Sequence, residues 1–280
     1  MSYYKIKSHA KINLALNVIG KKKSLHRIES IVSFLELHDE ILIKKINQKN
    51  HKIKFIGKFS NKIGSNNTIN SLFKNIEKKK LLKNKFQIII KKKIPAKAGL
   101  GGGSMNAANI LNFLIRKKFI KVKKNELIKI SNSVGSDVLL GMQSNNLILK
   151  ADGTIKTLKS KKKIFTLIVK PNFGCSTKKI YSGVRKFSKS QFYNASENMF
   201  KFNNLKKMKN DLQPIAFRYY PKLNILKKFL DKLSNYEFVR MTGSGSAIIV
   251  YFNTGKKCKD AEKKVKKQFR NYWCKTSKTI

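Results

Sequence analysis

An α+β fold of two lobes is expected from three features of the chain. Alternating strand-like pieces and helical stripes occur in both halves. A glycine-rich stretch stands between a short apolar strand and an amphipathic helix. The 280 residues suit one large domain or two of about 100–150 residues each. The expected domains are 1–155, an N-terminal lobe that carries the glycine-rich loop, and 156–280, a C-terminal α/β-sandwich lobe.

Apolar runs predict strands at 12–19, 31–37 and 40–46, and another around Ile53 and Phe55. Residues 67–82 read as a helix, with Ile69, Leu72, Phe73 and Ile76 on one face. A strand at 86–90 leads into the glycine loop. From Ser104 to about Ile115, the residues Ala107, Ala108, Ile110, Leu111, Leu114 and Ile115 form a 3.6-residue stripe. A short helix at 125–133 runs into Ser133-Val134-Gly135-Ser136-Asp137. The second half opens with a strand at 165–169, closed by Pro171. Leu223, Leu226, Phe229, Leu230 and Leu233 mark a helix. Strands at 239–242 and 247–252 flank Gly243-Ser244-Gly245-Ser246, and a lysine-rich helix covers 259–269.

Composition excludes several classes. With 41% hydrophobic residues the chain is too apolar to be disordered throughout. Four prolines and fifteen glycines exclude collagen-like material. No apolar run approaches the roughly 18 residues of a membrane span. The N-terminus has no signal-peptide core, because Lys5, Lys7 and Lys11 interrupt it. These features predict a soluble cytoplasmic protein. Cys175, Cys258 and Cys274 lie far apart and form no C-x-x-C, so neither a disulfide framework nor a zinc site is expected. His9, His26, His38 and His51 lack metal-ligand spacing and read as surface or packing residues.

The net charge of +49 has two readings. One is a face selected to bind a polyanion. The other is a solvated lysine-rich surface. Of the 63 basic residues only six are arginine; the other 57 are lysine. Readers of phosphates and bases lean on the arginine fork. The lysine runs at 21–23, 78–80, 91–93 and 161–163 are dispersed. The weight falls on the solvated surface, with no specific nucleic-acid partner expected.

Four motifs bear on chemistry. Pro95-Ala96-Lys97-Ala98-Gly99-Leu100-Gly101-Gly102-Gly103-Ser104 places four glycines in five residues ahead of a helix. Such a turn can aim successive N–H groups at a phosphate, with the helix N-terminus adding partial positive charge. The alternative is an ordinary tight turn. The stretch is neither a Walker A loop nor a dinucleotide fingerprint. Asp137 sits among small uncharged residues. It reads equally as a carboxylate able to take a proton from a hydroxyl and as a helix N-cap. Lys11 interrupts an apolar strand, and Asn13 shares its strand face. By itself Lys11 is one lysine among 57. Gly243-Ser244-Gly245-Ser246 reads first as a hairpin turn and second as another nest of N–H groups.

Taken in order, these pieces resemble the GHMP kinase superfamily. The residues that carry the resemblance are Ala10-Lys11-Ile12-Asn13-Leu14-Ala15-Leu16, Gly101-Gly102-Gly103-Ser104-Met105-Asn106-Ala107-Ala108 and the Asp137 segment. Further matches are Ser176-Thr177 after Lys170-Pro171, Asn210-Asp211-Leu212 with Pro214, and Arg240-Met241-Thr242-Gly243-Ser244-Gly245-Ser246-Ala247. The match runs nearly end to end. It lies nearest the members that use ATP to phosphorylate the 2-hydroxyl of a cytidine-diphosphate-linked methylerythritol, on the non-mevalonate route to isoprenoid precursors. The resemblance implies a two-lobe GHMP-kinase-like fold, with ATP and Mg²⁺ as cofactors and a small-molecule substrate. It implies Lys11 and Asp137 as the catalytic pair, the 95–104 loop and Asn67 at ATP, and Asn13, His26, Thr177 and Tyr181 at the substrate. Tyr181 would stack on the cytosine. Three positions depart from the pattern. Leu25 stands where a tyrosine is usual, Met105 where a small residue is usual, and Leu139-Leu140 where Pro-Phe-type residues are common. Two alternatives remain at this point: a sister kinase acting on another alcohol, and a basic nucleic-acid-binding protein.

Overall fold

The computed structural model describes residues 2–23, 25–61, 63–143, 145–158 and 163–280. Of the lysine run at 161–163, Lys161 and Lys162 lie outside the described residues. In chain order the elements are β1 (Tyr4–Lys22), β2 (Leu25–Ile46), β3 (Lys52–Ile56), α1 (Thr68–Lys78), β4 (Lys85–Lys91), α2 (Gly102–Arg116), α3 (Lys124–Val134) and α4 (Val138–Gly141). They continue as β5 (Asn146–Leu149), β6 (Ile155–Leu158), β7 (Phe165–Lys170), α5 (Thr177–Ser182), α6 (Phe202–Lys207), α7 (Leu212–Tyr219) and α8 (Pro221–Leu230). The last are β8 (Phe238–Met241), β9 (Ile248–Phe252), α9 (Gly255–Gln268) and β10 (Trp273–Lys278). The fold is α+β, as the alternation of periods predicts.

The chain divides into two compact units. The first contains Met1–Lys11, Leu37–Ala96 and Gly101–Ser144; the second contains Ile12–Glu36, Lys97–Leu100 and Asn145–Ile280. The units interleave along the chain because β1 and β2 are long enough to contribute to both. The strand expected at 12–19 is the middle of β1. The two expected at 31–37 and 40–46 are one strand, β2. The chain stays extended through His38 and Asp39 because the Asp39 carboxylate turns inward and is satisfied there.

In the first unit, β4 pairs parallel with β3 and antiparallel with the 40–46 stretch of β2. Ile41 lies opposite Ile90 and Ile43 opposite Ile88. This isoleucine face buries against Ile69, Leu72 and Ile76 of α1 and Ile110, Leu111 and Leu114 of α2. Burying one such side chain contributes roughly 1.5–3 kcal/mol, so the α2 stripe fixes that helix against the sheet. α1 begins at Thr68 because Asn67 caps it, accepting from the Ile69 and Asn70 N–H groups. The helix expected from Ser104 starts two residues earlier, at Gly102.

In the second unit, the 30–32 stretch of β2 pairs antiparallel with β5, and β5 with β6. A second, antiparallel sheet has the order β10-β7-β9-β8. Leu167, Val169, Ile248 and Val250 of that sheet bury against Leu223 and Leu226 of α8 and Ala261 and Val265 of α9. Arg240, buried in β8, donates to the Leu14, Leu205 and Met208 carbonyls.

Candidate functional site

Within the first unit the site is built around the start of α2. Its N-cap is Gly101, with φ 68° and ψ 10°, and no side chain caps the helix. A glycine adopts that left-handed backbone at no steric cost. A close approach also requires it, since a Cβ on Gly101 would lie 2.7 Å from Cγ of Lys11. The Lys11 stem therefore lies against the turn. Its Nζ reaches Oδ2 of Asp137 at 3.0 Å, with the lysine side chain 5% exposed and the aspartate 27%. Asp137 occupies the N-cap position of α4 but accepts no cap hydrogen bond. Of its two sequence readings, the carboxylate is thus left to Lys11 rather than spent on the helix.

The other first-unit residues gather at the same helix end. The Thr68 hydroxyl donates to the Gly103 carbonyl at 2.9 Å, which ties the start of α1 to the first turn of α2. Asn67 stands next to it. Its oxygen caps α1 and its amide donates to the Gly64 carbonyl at 2.8 Å. A Cβ on Gly135 would lie 3.1 Å from the Ser104 hydroxyl, so that hydroxyl faces the turn that leads into Asp137. Met105 is buried, and its Cε and Sδ would lie 2.6 and 2.8 Å from a Cβ on Gly141. The larger residue at position 105 is accommodated because position 141 has no side chain. Pro95 is buried and Ala96 exposed.

The second unit holds the remaining predicted residues. Lys97 takes φ 54° and Gly99 φ 80°. The backbone of this stretch is stitched to the β8–β9 turn: Ser246 N–H donates to the Lys97 carbonyl at 3.1 Å, and Ala247 N–H to that of Ala98 at 3.2 Å. Ala98 and Leu100 are buried. Gly243-Ser244-Gly245-Ser246 joins two antiparallel strands, as the hairpin reading expects. The Gly245 N–H donates to the Thr242 carbonyl. With Gly245, Ser246 and Ala247 donating to carbonyls, those amides do not form an open nest.

Asn13 is buried and donates from Nδ2 to the Ser30 hydroxyl at 2.8 Å, while its N–H donates to Thr242 Oγ1 at 3.0 Å. Thr177 begins α5 and shares a 2.9 Å hydrogen bond with the Ser244 hydroxyl. Tyr181, one turn later, places its ring 5.1 Å from that of His26, tilted by 37°. Burial, and secondarily the Lys21 charge, holds the His26 pKa below 6.5. Leu25 is 76% exposed.

Sequence reasoning missed Asp39 and Ser30, and read Ser244 only as part of its turn. Asp39 is fully buried in the first unit, and its one sequence signal is that only 14 residues in the chain are acidic. Ser30 and Ser244 matter only through partners distant in the chain. Among the described residues no group of three or more histidine, cysteine or acidic side chains could hold a metal. The three cysteines are free. No helix among the described residues is long and apolar enough to cross a membrane.

Comparisons with known proteins show the family and the fold. The family described as GHMP kinases N terminal domain matches residues 67–146. A relative from Pelagibacter ubique (strain HTCC1062), named 4-diphosphocytidyl-2-C-methyl-D-erythritol kinase, is 54% identical over all of both chains. One of the same name from Wigglesworthia glossinidia brevipalpis is 32% identical, covering 95% of this chain and 86% of its own. Among solved structures, a 4-(cytidine 5'-diphospho)-2C-methyl-D-erythritol kinase superposes with a TM-score of 0.78 at 22% identity, over 98% of this chain and 99% of its own. The Methanococcus jannaschii mevalonate kinase superposes at 0.67 with 16% identity, over 100% and 99%. These two show the fold. The full-length identity, together with the glycine turn and the Lys11–Asp137 pair, places the chain in the 4-diphosphocytidyl-2-C-methyl-D-erythritol kinase family of the GHMP kinases.

Proposed function

We propose that the chain transfers the γ-phosphoryl group of ATP to the 2-hydroxyl of 4-diphosphocytidyl-2-C-methyl-D-erythritol. The observation that carries this reading is the 3.0 Å Lys11–Asp137 pair against the uncapped start of α2. Phosphoryl transfer asks for alignment and charge neutralisation more than covalent chemistry. The N–H groups of Gly102, Gly103 and Ser104 open a helix with no cap and offer donors to phosphate oxygens. The 95–104 loop as a whole is proposed as the ATP-binding segment, with Asn67 shaping its edge. Asp137 accepts the hydroxyl proton. Lys11 pairs with that carboxylate at 3.0 Å and faces the negative charge that develops on the acceptor oxygen.

Asn13, His26, Thr177 and Tyr181 are proposed to hold the acceptor, with Tyr181 against the cytosine. Mg²⁺ fits as an ion carried by the phosphates, because it keeps several waters and takes one or two protein ligands. The Ser104 hydroxyl is the oxygen group at hand to hold it. It would neutralise phosphate charge. We further propose a cytoplasmic enzyme with sequence domains at 1–155 and 156–280, whose lysines form a solvated surface.

The test is ATP consumption with the cytidylyl alcohol against methylerythritol phosphate and mevalonate. Turnover with the first alone is expected. Turnover with another alcohol alone would assign the chain to a sister activity.

A further inference from the structure

Asp39 is a fully buried carboxylate that reaches both flanks of the glycine turn. Its Oδ1 accepts from the Lys93 N–H at 2.7 Å and the Ile94 N–H at 2.9 Å, on the chain entering the turn. Its Oδ2 accepts from Nδ2 of Asn106 at 3.1 Å, on α2 beyond the turn, and pairs with the buried Lys92 ammonium. Two of the residues so fixed lie against the helix start. A Cβ on Gly102 would come within 3.0 Å of Ile94 Cγ2 and 3.4 Å of Lys92 Nζ. One side chain on β2 therefore sets where the strand before the loop ends and where α2 begins.

We infer that Asp39 is a positioning residue for the nucleotide: it holds the N–H groups at the start of α2 in their phosphate-binding arrangement before ATP arrives. This rests on the proposal that ATP binds at that turn. The physical need is clear. Gly102 and Gly103 lose more backbone freedom on ordering than any other residue type, and α2 has no capping side chain to hold its first turn. Without an anchor, ATP would have to order the turn itself, and its affinity would fall by that cost. A carboxylate suits the position because all its partners are donors, and it accepts from four of them.

The test separates anchoring from general stability. Asn106→Leu keeps the shape but cuts the tie to α2, leaving Asp39 with Lys92 and the two amides. The pair Asp39→Ala with Lys92→Met removes the anchor without stranding a buried ammonium. In both, Kd for a non-hydrolysable ATP analogue and KM for ATP should rise about tenfold. KM for the cytidylyl alcohol and kcat at saturating ATP should stay within about twofold, and amide exchange at 102–105 should quicken. The pair Asp39→Asn with Lys92→Met should restore ATP affinity. Asn106 Oδ1 has no partner, so that amide can turn over and accept from the carboxamide introduced at position 39. A folded Asn106→Leu with parental ATP affinity overturns the inference. So does a parallel loss in kcat and both KM values. Failure of the parent itself to bind the analogue would instead overturn the nucleotide reading.

Discussion

The Lys11 ammonium lies 3.0 Å from the Asp137 carboxylate, and the lysine is almost fully buried while the aspartate is partly open. The pair joins the middle of a long strand to the residue that opens α4. Breaking a buried pair by removing one partner leaves an uncompensated charge, so each member of this pair makes a distinct prediction when altered.

Asp137→Asn keeps the shape and removes the base. Turnover should fall by about 10²–10⁴ while ATP affinity changes little. Steady-state kinetics with nucleotide titration checks this. Near-parental turnover would show that the acceptor hydroxyl needs no base from this residue.

Gly101→Ala should damage both the turn and the lysine. At φ 68° an L-residue is strained, typically by about 1–2 kcal/mol, and the new Cβ would meet Lys11 Cγ at 2.7 Å. We expect a melting temperature several degrees lower and turnover reduced more than about tenfold. Gly102→Val acts differently, because its Cβ would press on Ile94 rather than demand a left-handed backbone. ATP affinity should collapse there with the fold retained. Parental activity in Gly101→Ala would mean that the turn relaxes without moving Lys11.

Leu25→Tyr tests the acceptor assignment. Leu25 precedes His26, whose ring already neighbours Tyr181 at 5.1 Å. An added aromatic contact contributes roughly 0.5–1.5 kcal/mol beyond buried area, a factor of about three to ten in binding. KM for the cytidylyl alcohol should fall severalfold with ATP affinity unchanged. Tyr181→Ala should weaken the same substrate. If neither change alters substrate binding, the cytosine does not bind beside Tyr181.

His26 gives a pH prediction. Its pKa is lowered from 6.5, first by burial and then by the Lys21 charge. The native state thus binds fewer protons than the unfolded chain near and below pH 6.5. Its contribution to stability is complete above pH 6.5 and is lost as pH falls through the lower native value. Histidine proton shifts followed by NMR should show His26 titrating below 6.5. A midpoint at or above 6.5 would contradict this environment.

Local elements with strong periodicity were legible in the residues alone. The stripe from Ala107 to Ile115 builds α2, the 67–82 pattern builds α1 although the helix ends at Lys78, and the runs at 165–169 and 247–252 become β7 and β9. The glycine turn was legible too, because four glycines ahead of an apolar stripe have few other uses. Short elements such as β5, β6 and α5 left too few residues to show a period. Which residues meet was settled by packing across the chain. Whether Asp137 caps a helix or faces a lysine depends on where Lys11 stands, far away in the sequence. Met105 is tolerable only because Gly141 leaves it room. Asp39 falls in the break between two expected strands until burial turns it toward Lys92, Ile94 and Asn106. One cause underlies all three. A side chain's chemistry is set by its partners and its access to water, and packing supplies both from segments that no local pattern connects.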